Sequence, residues 1–231
     1  MSTSDRPADA WLSFGLAFIG GYGDAASFVL AKTFTGHATG NLVLGAIAVA
    51  AQDWPATLGH LSAIVTFLIG VLLSMAIVRP LKAWPSWPLL PTIMGIEVIL
   101  IAAAALALAW GTGSRVEIFV ILVSLALGLQ NGAFRRVGGI SVHTTYLTGM
   151  ITSLISTEAE KYTSGLPHTP VGGPDPKIDL LCGIWIAFVF GAGIGAAMVF
   201  RFKGFGILGA AVLLIILVLY SAKGCPMVSA T

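Results

Sequence analysis

The sequence predicts an all-α membrane protein. It should contain about six transmembrane helices and two short broken or re-entrant helices, arranged as two inverted three-helix repeats. Three observations lead there. The first is composition: 57% of residues are hydrophobic and 10% charged, with a mean hydropathy of +0.94, whereas a soluble domain carries about 25% charged residues. The second is a set of six apolar stretches long enough to cross a hydrocarbon core, which takes about 20 helical residues. The third is that three blocks of residues recur in the same order in the two halves of the chain. A net charge of +2 gives no basic surface for nucleic acid.

The first ten residues hold Arg6 between Asp5 and Asp9. No cleavable signal peptide has that pattern, so the first helix is expected to stay and residues 1–10 to form a cytoplasmic tail. The expected spans are 11–31, 61–78, 89–110, 117–134, 180–200 and 205–220. Pro80, Pro85, Pro88 and Pro91 break the chain after the second span, and Gly111 to Ser114 after the third. Together 11–222 form one transmembrane domain, with repeat A over 11–110 and repeat B over 115–222. Within repeat B the stretch 157–177 is a polar loop holding Glu158, Glu160, Lys161, Pro167 and Pro174, and residues 223–231 form a C-terminal tail. Cys182 and Cys225 offer no disulfide framework; Cys182 lies in an apolar run and reads as a packing residue.

Two apolar segments, 39–51 and 144–156, are too short to cross: about 13 residues rise only about 20 Å. The second carries Thr144, Thr145, Thr148, Thr152 and Ser153, a hydroxyl content suited to a helix buried in protein or lining a cavity rather than facing lipid. Counting basic residues favours re-entrance. With six spans and a cytoplasmic N-terminus, Arg6, Arg79, Lys82, Arg135, Arg136, Lys161, Lys177 and Lys223 face inward, and Lys32, Arg115, Arg201 and Lys203 outward. Eight spans divide them more evenly, against the positive-inside bias.

The repeat pairs Gly23-Asp24-Ala25-Ala26 with Gln130-Asn131-Gly132-Ala133. It pairs Thr35-x3-Thr39-Gly40-Asn41 with Thr144-x3-Thr148-Gly149-Met150, and Phe67-x2-Gly70-x3-Ser74 with Phe188-x2-Gly191-x3-Gly195. A unit of three spans and one re-entrant piece places its second copy upside down. That is a recurring build of secondary transporters, with the site where broken helices meet at mid-membrane.

Asp24 is the sharpest candidate residue. A carboxylate inside an apolar span either lines a cavity as a proton or cation site or is held by the hydroxyls and N–H groups of a neighbouring segment. Asn131, its repeat counterpart, cannot titrate; Gln130 beside it could bind polar groups. Thr39, Gly40, Asn41, Thr144, Thr148 and Gly149 are candidates for solute or ion binding, with helix capping and tight packing as the alternative. The N-terminal ends of the two short helices would suit an anionic group. His37 and His143 are candidates for pH sensing, or for simple capping. Glu97 lies inside the third span, with Arg135 or Arg136 as an expected partner or the pathway as its surroundings. No metal-ligand spacing, phosphate loop, Cys-x2-Cys, His-Glu-x2-His or Gly-x-Ser-x-Gly occurs, so neither a cofactor nor a metal nor enzyme activity is expected.

The stretch Gly21-Tyr22-Gly23-Asp24-Ala25-Ala26-Ser27-Phe28, followed by Phe34-Thr35-Gly36-His37-Ala38-Thr39-Gly40-Asn41, resembles the first signature of the YoaK-like family of bacterial membrane proteins. The stretch from Gly128 to Arg136, followed by Thr144-Thr145-Tyr146-Leu147-Thr148-Gly149, resembles the second. The resemblance covers nearly the whole chain. It implies a multi-span inner-membrane protein and supplies no function, since the family is a domain of unknown function.

Two functional readings follow. One is a small secondary transporter or channel for a small polar or anionic solute, proton-coupled through Asp24. The other is a non-transporting scaffold or regulatory protein in which polar residues lock the fold. The expected partners are the lipid bilayer, an unidentified small solute and a second copy of the chain, which would shield polar surface in a homodimer.

Overall fold

The computed structural model describes residues 6–82, 89–110, 115–134, 136–137, 140–141, 149, 151–152, 155–156, 159 and 176–222. Its helices are α1 (Arg6–Ala31), α2 (Ala38–Ala50), α3 (Trp54–Lys82), α4 (Leu89–Trp110), α5 (Arg115–Ala133), α6 (Pro176–Phe202) and α7 (Leu208–Ala222), with a 3-10 turn, Lys203–Ile207, between the last two. The expected spans fall on these helices, except that 117–134 runs one residue past α5 and 205–220 begins in the 3-10 turn. The protein is an all-α membrane protein, apart from a two-residue antiparallel ladder pairing Arg136 with Ser141 and Val137 with Ile140. The hydroxyl-rich segment 144–156, with Thr144, Thr148 and His143, lies largely outside the described residues; Gly149 is helical and half-buried.

Local chemistry sets the breaks. Lys32, Gln52 and Lys203 take φ of 56°, 58° and 53° at the ends of α1, α2 and α6, the left-handed conformation that stops a helix. After α2, the amides of Ala51 and Asp53 return to the carbonyls of Ile47 and Ala48. Asp53 then caps α3: its Oδ1 accepts the Ala56 amide at 3.1 Å. That cap starts α3 at Trp54, well before the expected residue 61. Residues 178–220 form one long, predominantly apolar run, yet the chain reverses inside it. Gly206 lies against the Met198 backbone, and Gly209 against the Tyr22 ring.

Helix directions follow from which residues touch. Gly21 faces the Phe188 backbone, Gly191 that of Phe18 and Gly195 that of Tyr22. Across the pairs Phe14–Gly183, Phe18–Gly191 and Tyr22–Gly195 the numbers rise together, so α1 and α6 run parallel. In the same way Gly128 faces the Phe67 backbone, Gly70 that of Leu125 and Gly132 lies on Ser74 and the Val71 carbonyl, so α3 and α5 run parallel. Between the pairs the sense is opposed: Gly23 touches Leu127, while the Gln130 amide donates to the Leu16 carbonyl at 3.0 Å. Since α3 runs against α1, the α2 segment between them adds no net crossing, as the basic-residue count anticipates. α7 runs against α1, with Gly15 beside Leu217.

α1 and α5 are the most enclosed helices, and their apolar faces meet in one core with Leu16, Tyr22, Ala26, Phe119, Val123 and Leu127. The outer faces of α2 and α3 expose Leu42, Ile47, Leu61, Leu68 and Leu72. In lipid such a surface needs no covering, because the hydrocarbon is as apolar as the side chains.

Candidate functional site

α1 ends at Ala31, and the link 32–37 folds back along it before α2 begins at Ala38. Asp24 sits seven residues before that end, about 10 Å back along the helix at 1.5 Å per residue. The carboxylate is buried, 3% exposed. Its Oδ1 accepts the Thr35 amide at 2.9 Å and the Gly36 amide at 2.6 Å. The Thr35 hydroxyl lies 3.5 Å from the same oxygen and 3.1 Å from the Ser27 hydroxyl. His37 Nδ1 bonds the other carboxylate oxygen, Oδ2. Asp24 is therefore held by the backbone and side chains of the very segment that follows its own helix. Two backbone N–H donors and an imidazole supply the charge-assisted bonds that make a buried carboxylate tolerable.

Hydrogen bonding to Asp24 raises the pKa of His37 above the ordinary histidine value, against the lowering that burial alone would cause. The imidazole stands between aromatic rings: Phe34 at 5.8 Å and, from α6, Phe188 at 5.7 Å edge-on. Phe34 in turn stacks on Phe28 at 4.6 Å. The Phe188 backbone is also where Gly21 crosses α6, so the polar cluster lies beside that close crossing.

Asn41 fixes the other side of the link. Its Oδ1 accepts the Phe34 amide at 3.0 Å and its Nδ2 donates to the Phe34 carbonyl at 2.6 Å. The His60 ring lies 3.3 Å from the same Oδ1. Gly40 packs beneath Phe34, where an added Cβ would meet the ring at 3.0 Å.

The sequence candidates divide. Asp24, His37, Gly40 and Asn41 come together around the link. Thr39 is exposed on α2 and stands apart from the Asp24 cluster. Gln130 is fully buried but reaches α1 at Leu16, eight residues from Asp24, about 12 Å along the axis. Asn131 bonds its own helix, Nδ2 to the Leu127 carbonyl at 2.9 Å. His37 holds the N-cap position of α2 without capping it; its ring goes to Asp24. The backbone N–H groups that meet Asp24 belong to Thr35 and Gly36 in the link, ahead of α2. Thr35, Gly36, Ser27, Phe34 and His60 were not singled out as site residues. The visible signal was a hydroxyl and glycine run following a buried acid, but only the fold-back of the link shows which of them reach it. Among the described residues no group of His, Cys, Asp or Glu could hold a metal ion.

A family model described as "Protein of unknown function (DUF1275)" matches residues 12–221. The chain belongs to the DUF1275 family. It is also similar to the UPF0700 transmembrane protein YoaK of Bacillus subtilis (strain 168), 27% identical over 128 residues, which cover 54% of this chain and 56% of that protein. No solved structure matches the chain. A transmembrane relative and several apolar helices make this DUF1275 member a multi-pass membrane protein.

Proposed function

We propose that this protein is a small secondary transporter of the bacterial inner membrane, built as two inverted three-helix repeats, that carries a small polar or anionic solute with a proton on Asp24. The observation that carries the reading is the matched pair of glycine crossings. Gly21 on Phe188 corresponds to Gly128 on Phe67, and Gly191 on Phe18 to Gly70 on Leu125. The correspondence is the one that the sequence repeat gives, and the two pairs run in opposite senses. Each pair joins the first helix of one repeat to the second helix of the other. Such an arrangement suits rocking of two halves about a central site.

The broken α1–α2 connection supplies that site. Thr35 and Gly36 point two N–H groups at the Asp24 carboxylate, and His37 adds a third donor. A solute anion of similar size could take over these donors once Asp24 accepts a proton, which would couple one proton to one anion.

The test uses a cysteine-free protein carrying Ser27→Cys, beside Thr35, in membrane vesicles of both orientations. Alternating access predicts labelling by a membrane-impermeant maleimide from both sides, in competition with each other. Labelling from one side only, or from neither, refutes it.

The scaffold reading has one observation in its favour: Asp24 binds two backbone amides of the link and the His37 ring, contacts that lock the link onto α1. It predicts that Asp24→Asn lowers stability and leaves Ser27→Cys unlabelled from either side.

A further inference from the structure

A second buried acid lies away from this site. Glu97 is fully enclosed, 0% exposed, in the middle of α4. Neither carboxyl oxygen has a hydrogen-bond partner. The expected partners, Arg135 and the Arg136 side chain, lie outside the described residues, among which the sole salt bridge is His37 to Asp24. Glu97 belongs to the inward stripe of α4 that includes Ile93, Met94, Ile101 and Ala104, all buried. α4 packs chiefly on α5 and α7. On α5, the Ser124 hydroxyl is also fully buried and also without a partner. Counted from the C-terminal end of α4 and the N-terminal end of α5, Ser124 lies within about 6 Å of the level of Glu97.

Among the described side chains no fixed charge meets this acid. On the elements packed against α4, α5 carries Arg115 and Glu117 in its first turn and α3 carries His60, Arg79 and Lys82. The 3-10 turn has Lys203, and α7 offers only Tyr220 as a titratable group. The Lys82 side chain lies outside the described ones, and none of the described contacts joins any of the others to Glu97. An ionised carboxylate in an apolar seam, with neither counter-ion nor donor, is unfavourable enough that the group takes a proton instead.

We infer that Glu97 is a proton-binding site in the α4–α5 seam, occupied by a proton in the packed state described here. When the seam opens to water or a base, the O–H bond breaks, the proton leaves to that acceptor and the carboxylate remains, with the Ser124 hydroxyl on the facing helix as a donor to it. The site stands whether or not Asp24 couples transport. Both buried acids of the described spans, Asp24 and Glu97, lie in the first repeat, and neither has an acidic counterpart in the second.

Infrared difference spectroscopy tests it on the full chain in lipid nanodiscs. The chain has four glutamates, at 97, 117, 158 and 160, and carboxyl-13C glutamate separates their bands from those of aspartate. At pH 7 the wild type should show an isotope-sensitive C=O stretch of a protonated acid, at the high frequency of one lacking hydrogen bonds. Glu97→Gln, which replaces the neutral acid by a neutral isostere, should lose that band, and Asp24→Asn should keep it. A wild-type spectrum without the band, or a Glu97→Gln spectrum that retains it, overturns the inference. If Glu97→Gln does not fold, Glu117→Gln together with the double variant at 158 and 160 decides: the band must survive in both. Alternating access at the Asp24 site is read separately, from the Ser27→Cys labelling, so failure of one proposal does not carry the other.

Discussion

Replacing Gly128 by alanine probes the backbone crossing on which the architecture rests. A Cβ at Gly128 would run into the Phe67 carbonyl oxygen, with the Phe67 carbonyl carbon at 3.0 Å and Gly70 Cα at 3.1 Å. Carbon atoms prefer about 3.5–4.0 Å. All three obstacles are backbone, so no rotamer change relieves them; α3 and α5 must separate along a buried seam. Overpacking of this kind costs about 1–3 kcal/mol. For a chain of 231 residues, each kcal/mol moves the melting temperature by about 2–4 °C, so a cost of about 2 kcal/mol lowers it by about 4–8 °C. Gly193→Ala is the internal control. It lies in α6 with nothing within 4 Å of an added Cβ, and alanine there gains up to about 1 kcal/mol of helix propensity. Gly21→Ala, the corresponding position on α1, meets the Phe188 carbonyl carbon at 3.0 Å and the Ala192 amide nitrogen at 3.1 Å, and should match Gly128→Ala. The assay is thermal unfolding of the detergent-solubilised protein followed by thiol reactivity of Cys182. If Gly128→Ala melts with Gly193→Ala, or Gly21→Ala and Gly128→Ala differ by more than their errors, the equivalence of the two crossings is wrong.

Other outcomes follow from the same contacts. Asn41→Ala removes both bonds to the Phe34 backbone and leaves a half-buried amide and carbonyl without them. About 2–3 kcal/mol should be lost, with faster hydrogen exchange at Phe34, and unchanged exchange would show that Asn41 does not hold the link. Tyr22→Phe removes the hydroxyl that donates to the Gly206 carbonyl; about 1–2 kcal/mol of stability should go, which a denaturation midpoint equal to the wild type would disprove. The His37–Asp24 pair gives a pH dependence. Because the folded-state pKa of His37 is raised, its contribution is complete below the unfolded value of about 6.5 and fades as pH rises through the folded value. Melting temperature should therefore fall from pH 6 upward, and His37→Gln should flatten that slope; an equal slope in the variant would remove the pair as its cause.

Much of this protein is legible in one dimension, because hydrophobicity, chain stiffness and helix breaking are local. The spans at 89–110 and 180–200 need only their own residues to be read, and the Gly70 and Gly191 faces announce close helix approach by residue size alone. Asp24 stands out in the same way, as a charge where lipid-soluble chain is required. What α1 and α5 touch is different in kind. That Gly21 lies on Phe188 and not on Phe67, and that α3 runs against α1, depend on how six helices share one buried volume. Hydrogen-bond partners follow the same rule. Thr35 and Gly36 reach Asp24 because Lys32 turns the link back toward it. Glu97 is fully buried on the same stripe of α4 as Ile93, Met94 and Ile101. The sequence determines which groups must leave water; only the packed structure decides which of them find a donor there, since that depends on directions and distances of a few ångströms between segments far apart in the chain.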